Sequence, residues 1–250
     1  MDKKITSDFR KFSPKYYLND YFSEEDNEGR DLLRFYHKAY SGLSGISRLL
    51  EVGGGPTIYQ LISASAVANQ IIFSEYLDDN RKEITKWIKG RRGAFNWDKY
   101  FRFVLQLEGK KCSQNSLREI KHRLRKKVKA VIFCDVLKNN VLKTKKYENF
   151  DAVSVNFCSE SITDNEKDFI LSLRNITSML KENGLLVMTL LKNARYYKVG
   201  KVKFCSFPVN EQYIKEVLPQ IGYEGIKIKS YKAEPERSYN GFICLTARKR

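Results

Sequence analysis

Three observations predict an α/β fold, with a mostly parallel sheet of about seven strands, helices on both faces and a helical cap at the amino terminus. After about residue 45, short apolar runs alternate with segments of helical periodicity. The runs are apolar almost throughout, as expected of strands buried on both faces. The first of them ends in the glycine turn Gly53-Gly54-Gly55, an arrangement that puts a ligand site at the carboxyl ends of parallel strands.

Taken in order, strands are predicted at 47–52, 70–76, 130–136, 150–157 and 184–191, with two more at 226–231 and 241–249. Helices are predicted at 31–40, 58–68, 81–89, 97–107, 116–127, 166–180 and 211–218, where apolar residues recur three and four positions apart. Thr163 or Asp164 marks the start of the sixth of these, and Pro208 with Asn210 the start of the last. Residues 1–45 are rich in Tyr, Phe and charge and precede the first strand, so they are expected to form a cap over the site. Residues 46–250 form the ligand-binding α/β domain, with an insertion over about 90–129 between the second and third strands. No repeat or low-complexity linker divides the chain.

The chain has 250 residues, 42% of them hydrophobic, enough for a sizeable core. No apolar run reaches the ~20 residues of a membrane span, and Met1-Asp2-Lys3-Lys4 opens into polar sequence, so a cytoplasmic protein with no membrane partner is expected. The five cysteines are scattered, with no C-x-x-C pair, which points to reduced and mostly buried thiols. His37 and His122 lie in helix-surface patterns without a second ligand at metal spacing, so no metal is expected. The formal charge of +17 raises nucleic-acid binding. Its densest run, 118–129, is interleaved with Leu117, Ile120 and Leu124 at helical spacing, which reads as a solvated helix face. Nucleic acid is therefore not the expected partner, and a monomer is favoured.

The glycine turn narrows the ligand. A dinucleotide site wants a third glycine where Ile58 stands, and a P-loop wants Lys followed by Ser or Thr, which is absent. S-adenosyl-L-methionine carries no phosphate and asks only for amide donors and space, which this turn offers. Glu75 closes the second strand about twenty residues beyond the turn, where a carboxylate accepts hydrogen bonds from ribose hydroxyls. Asp135 closes the third strand, where an acid meets the adenine amino group. Three such features in register, one per successive strand, predict a cofactor site for S-adenosyl-L-methionine, with S-adenosyl-L-homocysteine as product.

The run Gly53-Gly-Gly-Pro-Thr-Ile-Tyr-Gln-Leu-Ile62, with Glu75-Tyr76, Asp79-Asn80, Lys86-Trp87, Ala94-Phe95-x-Trp97 and Leu107-Glu108-Gly109, resembles the nicotinamide, phenylethanolamine and thioether methyltransferases, a family of the Rossmann-like class I fold. The resemblance starts at 12–22 and runs through Leu173-Arg-Asn175 and Tyr196-Tyr197 to the closing Ala247-Arg-Lys249. It implies a methyltransferase acting on a small-molecule acceptor, at a nitrogen of an amine or N-heteroaromatic. It also implies that Tyr17 and Phe22 close the cap over the cofactor, Phe22 without the hydroxyl that relatives carry there. Gly53, Gly54, Gly55, Thr57 and Tyr59 would surround the methionine portion; Glu75, Tyr76 and Asn80 the ribose; Asp135 and Val136 the adenine; Asn156 and Phe157 the sulfonium and the acceptor.

For the acceptor, the resemblance implies a pocket of Tyr17, Phe157, Leu190, Ala194, Tyr197 and Ser206, with Glu160 as catalytic base. Leu190 and Ala194 stand where relatives carry acids. Transfer of a methyl group to a nitrogen rests mostly on positioning and desolvation, and an amine must lose a proton to react, which a carboxylate in reach can take. An RNA methyltransferase would explain the charge, but no Asn-Pro-Pro-Tyr-like amine motif is present. Methylation of a small thiol, thioether or phenol is the other alternative.

Overall fold

The computed structural model describes residues 4–24, 26–144 and 146–250. A two-residue strand, β1 (Ile5–Thr6), leads into two helices, α1 (Pro14–Phe22) and α2 (Asn27–Tyr40). Strand β2 (Arg48–Val52) follows, then β3 (Gln70–Glu75), α3 (Asp78–Ile88), α4 (Asp98–Leu107), α5 (Gln114–Lys127) and β4 (Val128–Phe133). The second half runs β5 (Phe150–Asn156), α6 (Glu166–Ser178), β6 (Leu180–Lys192), β7 (Tyr196–Val199), β8 (Val202–Cys205), α7 (Glu211–Gln220), β9 (Tyr223–Lys232) and β10 (Gly241–Lys249).

Seven strands form one sheet in the order β4-β3-β2-β5-β6-β10-β9. All its pairings are parallel except the two made by β10. The chain moves outward from β2 through β3 to β4 and then crosses back to β5 on the other side of β2, so the loops after β2 and β5 diverge and leave a crevice, the switch point where ligands bind such sheets. Alternate residues serve opposite faces. Leu49, Phe73, Val187 and Cys244 pack under α2 to α5, while Leu50, Ile72, Met188 and Leu245 pack under α6 and α7. The outer strand β9 exposes Lys227, Lys229 and Lys232, charges that discourage pairing with another sheet edge.

Helix starts follow local chemistry. Ser13, Asp26, Ser113, Asn165 and Asn210 each cap a helix by accepting a backbone N–H. Asn165 takes the place expected of Thr163 or Asp164. The predicted insertion holds α4 and α5. In α5 the apolar side of the basic run is buried, and Arg123 is tied to Glu108 and Ser65 while Arg125 lies 4.6 Å over the Trp87 ring.

Two expectations are corrected. The segment 58–68 is not an α-helix but two 3₁₀ turns, Tyr59–Leu61 and Ala64–Ala66. Thr57 and Ser65 spend their hydroxyls on the nearby carbonyls of Gly54 and Ile62, local bonds that compete with helix formation in a nearly fully buried stretch. The cap is not purely helical or purely amino-terminal: β1 pairs with β8 in a three-stranded sheet β1-β8-β7 whose other strands come from residues 196–205. Helix α2, expected at 31–40, starts earlier, at Asn27, and packs onto the sheet through Leu32, Leu33, Tyr36 and Tyr40.

Candidate active site

The strand ends and the cap enclose a cavity of about 650 Å³, inside the ~300–1,000 Å³ of small-molecule sites. Its floor is the glycine turn. Gly53 and Gly55 both have φ near +60°, a conformation that costs other residues steric strain. A Cβ on Gly53 would meet the Cys158 sulfur at 2.2 Å, whereas one on Gly55 would point into open space. The turn is therefore braced from behind at Gly53 and bare toward the cavity at Gly55.

Glu75, at the end of β3, holds the turn in place. Its Oε2 accepts the Gly55 N–H at 2.9 Å, and its Oε1 accepts the Leu77 N–H at 2.8 Å and the Asn80 amide at 3.1 Å. Burial pushes the carboxyl up, and these three donors pull it back toward ionisation. Asn80 Oδ1 is buried without a hydrogen-bond partner. After β4, the Asp135 carboxylate accepts the Leu137 N–H at 3.1 Å, folding Val136 onto the wall.

Beneath the turn lies a polar network of which sequence reading assigned a site role only to Asn156. Glu51, fully buried on β2, accepts from Gln60 and from Asn156, each at 3.0 Å. Asn156 in turn accepts from Tyr36 at 2.8 Å and from Thr189 at 3.2 Å. Desolvation pushes Glu51 up to about 7. A single ionisable residue in the apolar strand Leu49-Leu50-Glu51-Val52, directly before the turn, was the available signal. Phe157, next after Asn156, is held at φ 50°, unusual for a bulky residue, with its N–H on the Thr189 carbonyl at 2.9 Å.

All fourteen residues expected around the cofactor, Tyr17, Phe22, Gly53, Gly54, Gly55, Thr57, Tyr59, Glu75, Tyr76, Asn80, Asp135, Val136, Asn156 and Phe157, stand on the wall of this one cavity. Of the expected acceptor residues, Tyr17, Phe157 and Tyr197 also line it. Leu190, Ala194, Ser206 and Glu160 do not. Leu190 faces the opposite side of β6, in the core under α6 and α7, and its neighbour Leu191 takes the cavity side. Ala194 and Ser206 are buried behind the wall.

Glu160 is fully buried. Its Oε1 accepts the Leu191 N–H at 2.9 Å and the Ser161 hydroxyl at 3.2 Å, its Oε2 has no partner, and desolvation pushes it up to about 7. Ser161 does line the cavity.

The far end is closed by aromatic rings of the cap. Tyr17 packs against Phe12, Tyr21 and Phe22 at centroid distances of 5.2, 5.0 and 5.7 Å, and Tyr197 stacks on Phe204. Helix α1 is latched to β7 by Tyr21, which donates to the Lys198 carbonyl at 2.8 Å, and to the β7–β8 turn by Asp20, which accepts the Gly200 N–H at 2.6 Å. Glu28, Arg237 and Tyr239 complete this end and were not foreseen from the sequence. Among the described residues no group of three or more His, Cys, Asp or Glu is placed to hold a metal, and no helix is long and apolar enough to cross a membrane.

A profile of the NNMT/PNMT/TEMT family matches residues 3–250. Nicotinamide N-methyltransferase of Homo sapiens is 31% identical over 249 residues, covering 95% of this chain and 93% of the relative. Indolethylamine N-methyltransferase of Mus musculus is 29% identical over 251 residues, 96% and 94% of the two chains. Phenylethanolamine N-methyltransferase of Sus scrofa is 31% identical over 233 residues, 89% and 81%. Among solved structures, the glycopeptide N-methyltransferase MtfA complexed with (S)-adenosyl-L-methionine aligns with a TM-score of 0.58 at 9% identity, over 89% of this chain and 95% of that one. The N-methyltransferase NodS from Bradyrhizobium japonicum WM9 in complex with S-adenosyl-l-homocysteine gives 0.54 at 12% identity, over 95% and 99%. At these identities the two structures establish the shared class I fold.

Proposed function

The chain belongs to the NNMT/PNMT/TEMT family, and from that premise we propose how its cavity divides the work of N-methylation. The protein is an S-adenosyl-L-methionine-dependent methyltransferase acting on a nitrogen of a small amine or heteroaromatic. When bound, the cofactor supplies an electrophilic methyl group on a sulfonium. Gly53, Gly54, Gly55, Thr57 and Tyr59 hold its amino-acid end, Glu75, Tyr76 and Asn80 its ribose, and Asp135 with Val136 its base. The fit rests on the open space before Gly55, the spare acceptor Asn80 Oδ1 and the lone pairs that Glu75 still has free. Tyr17 and Phe22 cover this half as the cap, and Asn156 and Phe157 stand between the halves.

The acceptor takes the aromatic half, among Tyr17, Phe157, Leu191 and Tyr197. These rings exclude water and hold a flat acceptor in line with the methyl group, the contribution on which such a reaction chiefly depends. Leu190, Ala194 and Ser206 act one layer back, setting the position of Leu191 and Tyr197. Glu160 works through Ser161: the serine hydroxyl, on the wall, donates to the buried carboxylate, so a proton leaving an amine passes to Ser161 as its own proton moves to Glu160.

The observation that carries this reading is one cavity joining three strand-end features, the glycine turn, Glu75 and Asp135, to an aromatic end roofed by the cap. Methyl transfer to a panel of small amines, N-heteroaromatics, thiols and phenols, read by mass spectrometry, tests it. N-methylated products are expected, with Glu160→Gln and Ser161→Ala slowing amines more than pyridine-like acceptors and both recovering as pH rises. Transfer only to thiols or phenols, or equal slowing of both acceptor types at every pH, would overturn it.

A further inference from the structure

Arg237 lies between β9 and β10 and reaches the far end of the cavity, where its guanidinium is fixed on three sides. Nη1 donates to the Asp20 carbonyl at 3.0 Å, Nη2 to the Asp26 carboxylate at 2.8 Å, and the plane rests 4.5 Å over the Tyr21 ring. Of the three nitrogens Nε, with its single N–H, is the one buried without a hydrogen-bond partner. Glu28, on α2, is in the complementary state. Its Oε1 accepts the Tyr239 hydroxyl at 2.6 Å, and its Oε2 is buried without a hydrogen-bond partner. The two spare atoms face each other at 3.7 Å, close enough to attract as ions and too far to share a hydrogen bond. Both residues line the cavity.

Buried polar atoms left unpaired cost stability, and those kept in a native fold call for an explanation such as a ligand. Here one donor and one acceptor stand side by side, the guanidinium held by Asp20, Asp26 and Tyr21. A carboxylate placed there would meet Glu28, and an ammonium would meet Arg237, so either charge finds one like-charged neighbour. A planar group with an N–H next to an acceptor satisfies both atoms at once. In an amide, nitrogen and oxygen lie about 2.2 Å apart by their bond lengths, so such an edge set before a 3.7 Å gap reaches both partners at ordinary hydrogen-bond distance.

We propose that Glu28 and Arg237 are the specificity pair of the acceptor pocket, selecting a neutral acceptor that carries a hydrogen-bond donor beside an acceptor, as a carboxamide, lactam or amino-azine does. The proposal rests on the reading of this cavity as the methyl-acceptor site. Desolvation holds Glu28 up at about 7, and a hydrogen bond donated to its second oxygen would favour the ionised form.

The test is calorimetric and independent of turnover: binding of benzamide, N,N-dimethylbenzamide, benzoate and benzylamine to the protein saturated with S-adenosyl-L-homocysteine. Benzamide is expected to bind at least about tenfold more tightly than the other three, the usual worth of a hydrogen bond to a charged group. Glu28→Gln, Arg237→Met and Arg237→Lys should each erase most of that preference while S-adenosyl-L-homocysteine binds as before. The lysine variant keeps the charge and loses the fixed Nε–H, so it separates hydrogen bonding from net charge. Tightest binding of benzoate or benzylamine, or a benzamide preference that survives all three substitutions, would overturn the proposal. Failure to bind S-adenosyl-L-homocysteine at all would instead strike at the reading on which it rests.

Discussion

Replacing Glu75 with glutamine separates the residue's two tasks. The carboxylate receives three donors on two oxygens: Gly55 N–H on one, Leu77 N–H and the Asn80 amide on the other. A glutamine of the same size keeps its oxygen toward the pair of donors and turns its amide nitrogen toward Gly55. That leaves the Gly55 N–H facing another donor, a cost of about 1–3 kcal/mol for an unsatisfied buried group. Loss of the charge weakens the remaining bonds, and relief of the desolvation that raised the carboxyl offsets part of that loss. The unliganded variant should therefore melt roughly 3–10 °C below wild type. If the same carboxylate also takes the ribose hydroxyls, S-adenosyl-L-homocysteine should bind about 10- to 150-fold more weakly, from about 1.5–3 kcal/mol of charge-assisted bonding. Calorimetry and a melting curve read the two effects apart, and Glu75→Asp, which keeps the charge, should restore much of the affinity. A lowered melting temperature with unchanged affinity would show that Glu75 only braces the glycine turn.

Gly53→Ala should abolish cofactor binding and lower stability, since its Cβ would sit 2.2 Å from the Cys158 sulfur and 2.9 Å from the Cys158 Cβ. Adding Cys158→Gly should recover part of both losses, leaving about 1–2 kcal/mol for a left-handed alanine; a double mutant no better than the single one would refute the clash. Glu51, Glu160 and Glu28 all have folded values raised by burial from the usual 4.5 to about 7. The folded state then binds more protons than the unfolded state across that interval, so the stability they give is complete below about pH 4.5 and is lost as pH rises to about 7. Melting temperature without ligand should fall over this window, and Glu160→Gln, which keeps the acceptor for the Leu191 N–H, should flatten the fall by on the order of 3 kcal/mol. Parallel curves for wild type and variant would exclude a buried, proton-binding Glu160.

The strand-end half of the cavity, proposed for the cofactor, was legible because it is local. A glycine turn, a strand-end acid and a second strand-end acid each sit in a short segment whose neighbours fix its backbone, so a strand count and a spacing were enough to bring Gly53, Glu75 and Asp135 together. The sheet was legible for a similar reason: apolar side chains on both faces of β2, β3, β5 and β6 leave a continuous hydrophobic run that only a covered sheet can bury. The same continuity hid the acceptor half. In a strand apolar on both faces, nothing in the sequence says whether Leu190 or Leu191 points at the cavity, and parity was decided by the register of β6 against β5 and β10. Glu160 follows the expected strand, yet a bond to the backbone of Leu191 turns its carboxyl away from the wall.

What the sequence determined by itself was the fold class and the cluster of strand-end residues proposed to hold the cofactor, because both follow from periodicity and backbone geometry within a few residues. Tertiary structure alone decided the far end of the cavity, the proposed acceptor end. Glu28 meets Tyr239 across 211 residues of chain, and Arg237 meets Asp26 across the same interval. No local pattern marks such partners, since an exposed Glu or Arg is the ordinary expectation in a helix or turn. They are joined because α2 and the β9–β10 connection pack over the same edge of the crevice, where desolvation makes each charge depend on the other.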